Sequence, residues 1–364
     1  MDALFSQLNQ ICPENQKIMT CNTYFEDIKR EMLPEISKLE LDRRYGLSRS
    51  NELPGSRTVL PESVAHRTQN WLQQTHNINL SLDEIGGFYG GEEFKFTNCE
   101  KSGMFGPDIK RCREIYNVDW VKHDNHFSIW QKGIQRVIIP VSAKYEITAY
   151  GAGWVNCGAK STGNIKLYKG TEMFIAVGQR GTDESDGCGG TFLAVSKNKK
   201  LLPMIIAGGA GGGQLSDYGN GSLDKCGNRS DATKRRNIKF SPSGAPFFPA
   251  GNTAWNDYYN GGSGFSGIIE GQWEGTKEFP QPFSEGMTGG KRAEGFHDSP
   301  DCRSDGGFGG GGHGLSGGGG GYTGGNGGFN GGGGGGSLTT DKGKIEIGHK
   351  KPGYLKIKII KFCK

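Results

Sequence analysis

No stretch of this chain reaches the roughly 18 consecutive apolar residues of a membrane-spanning helix. The longest apolar run, near Leu201 to Ala207, has the length of a strand and is broken by Pro203. The opening residues, MDALFSQLNQICPEN, lack the basic head and apolar core of a secretory leader. These absences predict no membrane span and no standard entry into the secretory route, and they leave the cytoplasm open as a compartment. Apolar residues are scarce, 34 % of 364. So low a share fits a protein whose interior is partly backbone packed on backbone.

The motifs of catalysis are missing too. Ile205-Ile-Ala-Gly208-Gly-Ala-Gly211 puts glycines after a strand, yet its spacing misses G-x-G-x-x-G and no helical pattern follows. Gly289-Gly-Lys291-Arg292 fails the phosphate-loop pattern twice, with Glu285 where glycine is required and Arg292 in place of Ser or Thr. No H-R-D, D-F-G or V-A-I-K set occurs, so no protein-kinase domain is expected here. His123 and His126, even with Cys112 or Asp124, form too thin a set for a metal, and Asp183-Glu-Ser-Asp186-Gly lacks the alternating ligands and distal Glu of a calcium loop. The expectation is a non-enzyme without cofactor or metal.

Charge excludes little. The net charge is +5, and the basic clusters Lys197, Lys199, Lys200 and Lys234, Arg235, Arg236 lack the flanking aromatics of a single-strand binder. They read as solvated loops, and no nucleic acid is expected as a partner.

What the chain has in excess is glycine. Between Gly306 and Gly336 it runs GGFGGGGHGLSGGGGGYTGGNGGFNGGGGGG, 22 glycines in 31 positions. Each opposes a helix or strand interior by roughly 0.5–1 kcal/mol, so together they oppose either by about 10–20 kcal/mol. Phe308, Leu315, Tyr322 and Phe329 recur every seven residues. Regular large apolar groups have no use in a flexible linker, so an ordered array is expected. Its physics is that of left-handed three-residue helices, whose outward N–H and C=O groups pair with neighbouring chains only where no Cβ intervenes.

Around the glycines lie two kinds of pattern. Residues 1 to roughly 45 carry helical periodicity through Tyr24, Ile28, Met32, Ile36 and Leu39, followed by a linker to Pro61 and a further helical stretch around Ser63 to Gln74. After Gly86 the period becomes two. Phe94–Asn98, Arg136–Pro140, Tyr145–Tyr150, Met173–Val177, Thr191–Val195, Leu202–Ala207 and Tyr354–Ile360 read as strands. In the last, Leu355, Ile357 and Ile359 share one face and Lys356 and Lys358 the other. Strands thus bracket the glycines, which predicts a mainly β chain: a β-sandwich or jelly roll with a glycine-rich excursion, preceded by a small α-helical N-terminal region. The expected division is 1–90 helical with linker, and 91–364 the glycine-rich domain, its sandwich from 91–210 and 337–364 and its insert from 211–336.

Nine cysteines, at 12, 21, 99, 112, 157, 188, 226, 302 and 363, are an odd number, so one thiol at least stays free or pairs with another chain. Cys99 and Cys112 bracket CEKSGMFGPDIKRC and are candidates for a local disulfide in an oxidising compartment, or two reduced thiols in the cytosol. Sequons at Asn79, Asn220 and Asn228 are glycan acceptors only outside the cell.

Several separated motifs, from about Glu93 to Lys361, agree in order with one family. They are FTNCEKSGMFGPDIKRC (96–112), KGIQ (132–135), YEITAYGA (145–152), MFIAVGQRG (173–181), GGTFLAV (189–195), LPMIIAGGAGG (202–212), EGMTGG (285–290) and GGFGGGGHGLSGGGGGYTGGN (306–326). This part of the chain resembles the glycine-rich ligand-binding region of the anaplastic lymphoma kinase and leukocyte tyrosine kinase receptors. The resemblance implies a TNF-like β-sandwich carrying a subdomain of packed polyglycine helices, placed outside the cell or at its surface, that binds small protein ligands. It implies binding without catalysis. The basic charge would repel the basic ligands of those receptors.

The leading expectation is therefore a protein-binding module, with Trp154, Trp255, Tyr258, Tyr259 and Trp273 as candidate anchors because aromatics dominate interface energetics. The alternatives are a self-associating structural or scaffolding protein, and a truncated or divergent member of the receptor kinase family.

Overall fold

Alternating and continuous apolar runs sort this chain into strands that cover the core from one side and strands buried on both. The computed structural model describes residues 93–197, 200–228, 261–266, 279–291, 304–314, 316–328 and 330–362. The helices expected in residues 1–90 lie outside them, as do Trp255, Tyr258, Tyr259, Trp273, Asn79, Leu315 and Phe329.

The described chain is mainly β. Its strands are β1 (Phe94–Thr97), β2 (Phe127–Ile129), β3 (Gln135–Ile138), β4 (Ala143–Tyr150), β5 (Ala159–Leu167), β6 (Glu172–Ala176), β7 (Thr191–Lys197), β8 (Lys200–Ala207), β9 (Lys344–Ile347) and β10 (Tyr354–Phe362), with one α-helix, α1 (Ile109–Tyr116). They form two antiparallel five-stranded sheets, ordered β1-β10-β4-β5-β9 and β2-β3-β6-β7-β8. The sheets face each other across one core, as in a β-sandwich. Phe96, Tyr145, Ile147, Leu355 and Ile357 enter it from the first sheet, and Val137, Met173, Ile175, Leu193 and Ile205 from the second.

The second sheet is buried on its far side as well. Phe174, Ala176, Phe192, Ala194 and Ile206 pack there with Phe283, Met287 and Phe308. Burial on both faces is why MFIAV and TFLAV read as unbroken apolar runs, whereas the first sheet alternates: Ala143, Tyr145, Ile147 and Ala149 are buried while Lys144, Glu146, Thr148 and Tyr150 face outward.

The segment between Cys99 and Cys112, read from sequence as a loop, ends inside α1. Asp108 caps that helix, its carboxylate accepting from the Arg111 N–H at 2.9 Å, and Asn117 closes it in the left-handed conformation. The two cysteines are bonded, with Cα atoms 5.0 Å apart, and both are fully buried. Cys157, Cys188 and Cys226 carry no disulfide. Removing the bond by Cys99→Ala/Cys112→Ala is expected to lower unfolding free energy by about 3 kcal/mol. A urea titration with and without reductant checks this: the reductant should shift wild type toward the variant and leave the variant unmoved.

Over the outer face of the second sheet lie the glycine segments, and here backbone meets backbone. Successive N–H groups of residues 332–336 donate in different directions: Gly332 to Gly212 O (3.0 Å), Gly333 to Asn326 O (2.7 Å), Gly334 to Tyr218 O (2.9 Å), Gly335 to Gly209 O (2.9 Å) and Gly336 to Thr323 O (2.8 Å). The direction returns every third residue. Gly209 and Gly212 likewise donate to Gly320 and Gly317, two positions three apart in one segment. The approach is too close for side chains: a Cβ on Gly335 would stand 2.1 Å from the Gly320 oxygen, and one on Gly320 1.9 Å from the Gly309 oxygen.

Candidate functional site

The outward face of the first sheet ends in an aromatic group. Tyr150, the last residue of β4, stands directly opposite Tyr354, the first of β10, and their rings stack 4.4 Å apart. His349, from the turn between β9 and β10, lies nearly parallel to Tyr150 at 4.9 Å. Lysines cover these rings: Lys95 Nζ is 4.3 Å from the Tyr354 centroid, with Lys160 over Tyr150 and Lys356 over Tyr354 at about 6 Å. The His349 Nδ1 accepts from the Lys351 N–H at 3.2 Å, which leaves the proton of a neutral ring on Nε2. That Nε2 is buried and has no hydrogen-bond partner among the described residues. Burial also holds the imidazole pKa below its usual range, and burial followed by the Tyr150 hydrogen bond raises that of the Tyr354 phenol.

Trp154 continues this surface. Its ring is half-buried against Ala152, Cys188 and Ala210, and the Arg180 guanidinium sits 5.0 Å above it. Arg180 is fixed in turn, its Nε donating to Gly153 O at 3.0 Å and its Nη2 to Lys350 O. Since Gly153 also donates to Lys351 O, the Trp154 loop and the His349 turn are one hydrogen-bonded piece. Of the five aromatic anchors expected from sequence, Trp154 alone lies among the described residues.

The sequon asparagines in the described region serve the backbone. Asn220 Oδ1 accepts from the Cys157 N–H at 2.8 Å, and Asn228 Nδ2 donates to Asn220 O at 2.8 Å. A groove of about 640 Å³ opens near α1 between Met104, Pro107, Ile129 and Phe279, with Lys132 and Lys291 among its lining residues. Phe105 beside it is 56 % exposed, a large apolar side chain offered to solvent.

Three titratable groups are buried under the glycine segments. Asp186 accepts from Ser304 Oγ (2.7 Å) and from the Asp183 (2.9 Å) and Thr182 (3.1 Å) N–H groups, and burial pushes its pKa up to about 7. Burial drives His313 the other way, down to about 4. The Cys188 thiol, raised to about 12 by burial, is no nucleophile at neutral pH. Among the described residues no group of three or more His, Cys, Asp or Glu side chains is placed to hold a metal, and no helix is long and apolar enough to cross a membrane.

Sequence reading missed Tyr150, His349 and Tyr354 as a group, because they are 199 to 204 residues apart or separated by a turn and only strand register joins them. No protein-family model matches the chain.

Proposed function

We propose that this chain is a non-catalytic protein-binding module built like the glycine-rich ligand-binding region of the anaplastic lymphoma kinase and leukocyte tyrosine kinase receptors. In this reading the sandwich is TNF-like and the glycine segments are an inserted subdomain of packed left-handed three-residue helices. The observation that carries it is the threefold turn of the N–H directions through residues 332–336. A layer so tied is stiff, and a stiff layer backing the second sheet lets surface aromatics meet a partner without ordering cost. The aromatic group of Tyr150, His349, Tyr354 and Trp154, with cations over its rings, has the composition of an interface anchor.

The test is affinity capture by the full native chain, quantified against Tyr150→Ala/Tyr354→Ala. A stoichiometric protein partner is expected on the wild type, with about 30-fold weaker binding to the variant, since a hot-spot aromatic contributes about 2 kcal/mol or more. Concentration-dependent self-association in sedimentation velocity, with no second protein retained, would replace this reading with that of an assembly protein. Phosphate transfer from ATP by the purified chain would overturn it.

A further inference from the structure

The edges of the two sheets are not equally closed. At β1, Thr97 donates its N–H to the Tyr116 hydroxyl, and its C=O accepts from Gln135 Nε2. β8 carries Pro203 and a bulge, and its Ile206 exchanges hydrogen bonds with Leu338. β2 is three residues long, and its first N–H is taken by His123 O. β9 ends the first sheet with a regular register, no proline and, among the described residues, no hydrogen-bonding neighbour beyond it.

Hydrogen bonds alternate along an antiparallel ladder, so every second residue turns its N–H and C=O away from the paired strand. Gly348 donates to Gly158 O at 2.8 Å, and Gly151 donates to Ala159 O at 2.9 Å. These bonds set the phase. Lys160 and Thr162 turn toward β9 and bond Glu346 and Lys344, whereas Ile345 and Ile347 turn their N–H and C=O groups to the open edge. Those backbone groups bond no described residue. The Ile345 and Ile347 side chains share the face of buried Ser161 and Ala159, and Ile347 is 47 % exposed, so the apolar face of the sheet runs out to its rim.

We infer that β9 pairs antiparallel with β9 of a second copy of this chain, about a two-fold axis at Ile345; the inference goes beyond the binding-module reading and stands without it. Charge selects both the occupant and the register. Centred on Ile345, the pairing sets Lys344 opposite Glu346 of the second copy, and Glu346 opposite the second copy's Lys344. Centred on Glu346 it would set that carboxylate against its own copy, which repels. Centred on Ile347 it would set Glu346 against Gly348 and make no ion pair. Lys344 can make the exchange, because its side chain is 72 % exposed and pairs among the described residues only with Glu346 of its own strand. Glu346 keeps Lys160 as well, so each Glu346 lies between Lys160 of its own chain and Lys344 of the other, on neighbouring strands about 4.8 Å apart. The pairing joins the two first sheets edge to edge with their outward faces on one side. Both copies then present Tyr150, His349 and Tyr354 in the same direction, a bivalent surface for any partner with two matching sites.

Sedimentation velocity of the full chain from about 1 to 500 µM tests this, and because so short an edge buries little area, dimerisation is expected at about 10–300 µM. Lys344→Glu and Glu346→Lys each set like charges opposite one another, and each should weaken self-association at least about 10-fold. Mixed one to one, the two variants are complementary at both positions, so a mixed dimer should form within about 3-fold of wild-type affinity. A local defect in either variant cannot produce that rescue. If either charge variant does not fold, Ile345→Pro is read in its place: it removes an N–H that no strand of its own chain uses, and the chain should stay monomeric. The inference is overturned by a wild type that is monomeric up to about 500 µM, by variants that associate as wild type does, or by a mixture no better than its components. Tyr150→Ala/Tyr354→Ala should dimerise like wild type, so loss of the partner and loss of the dimer are read on different variants. A wild-type dimer that captures no second protein would keep this inference and remove the binding module.

Discussion

Gly335→Ala is expected to cost more than about 3 kcal/mol, enough to leave the chain insoluble or unfolded, although alanine adds a single methyl group. The added Cβ would lie 2.1 Å from the Gly320 oxygen, and the Gly320 carbon behind it would be 2.4 Å away. Both obstacles are backbone, in a segment that is itself hydrogen-bonded on several sides, so neither can swing aside as a side chain would. Gly170 supplies the contrast. Its φ is +82°, yet a Cβ there would meet nothing within 4 Å, so Gly170→Ala pays only for the left-handed conformation, about 1–2 kcal/mol. Urea unfolding followed by far-ultraviolet circular dichroism separates the two. Comparable midpoints for the two variants would mean that the glycine segments can spread, and the rigid layer would have to be abandoned.

Asp186→Asn is expected to stabilise the protein at pH 8 by up to about 4 kcal/mol, taking 1.36 kcal/mol for each pK unit. The sign follows from burial. The Asp186 carboxyl titrates near 7 when folded and near its ordinary value, about 3.9, when unfolded, so its contribution is fully present below about pH 4 and is lost as pH rises toward 7. Asparagine keeps the shape without the charge, and its advantage should vanish near pH 4. His313 works in the opposite sense. Its pKa is held near 4 against an ordinary 6.5, so stability is full above about 6.5 and drains as pH falls toward 4. Wild type should therefore be nearly flat in stability between pH 4 and 7, and Asp186→Asn should slope, weakening as acid is added. A flat profile for the variant would show that His313 does not titrate as its burial requires, and a wild-type profile parallel to the variant's would show the same of Asp186.

Much of the fold was legible because the pleat has a period of two. YEITAY and YLKIKII alternate, and the structure makes each a strand, with Leu355, Ile357 and Ile359 on one buried face as expected. The pairs MFIAV and TFLAV were legible as strands, though their double burial became clear only with Phe283, Met287 and Phe308 packed beside them. β5 was missed because AKSTGNIKL holds few apolar groups; its inward positions include Ser161 and Gly163, which register with Ala149 and Ile147. β2 and β9, of three and four residues, are too short to show a period. α1 was missed because its first turn lies inside the disulfide loop, although Pro107-Asp108 is a recognisable start signal. The aromatic group escaped for a different reason. Tyr150 and Tyr354 lie on strands distant in sequence, and only their register brings them and the His349 turn together.

The position of β10 has a consequence for synthesis on the ribosome. It is the last strand in chain order, yet it inserts between β1, the first, and β4, so neither edge of that gap has its partner until the final residues of the sheet emerge. Throughout translation β1 and β4 must wait without the strand that lies between them, while the intervening glycine segments are already made. Such a nascent chain calls for a chaperone that shields strands over more than two hundred residues of elongation, and a ribosome stalled before Tyr354 would hold the first sheet open between β1 and β4.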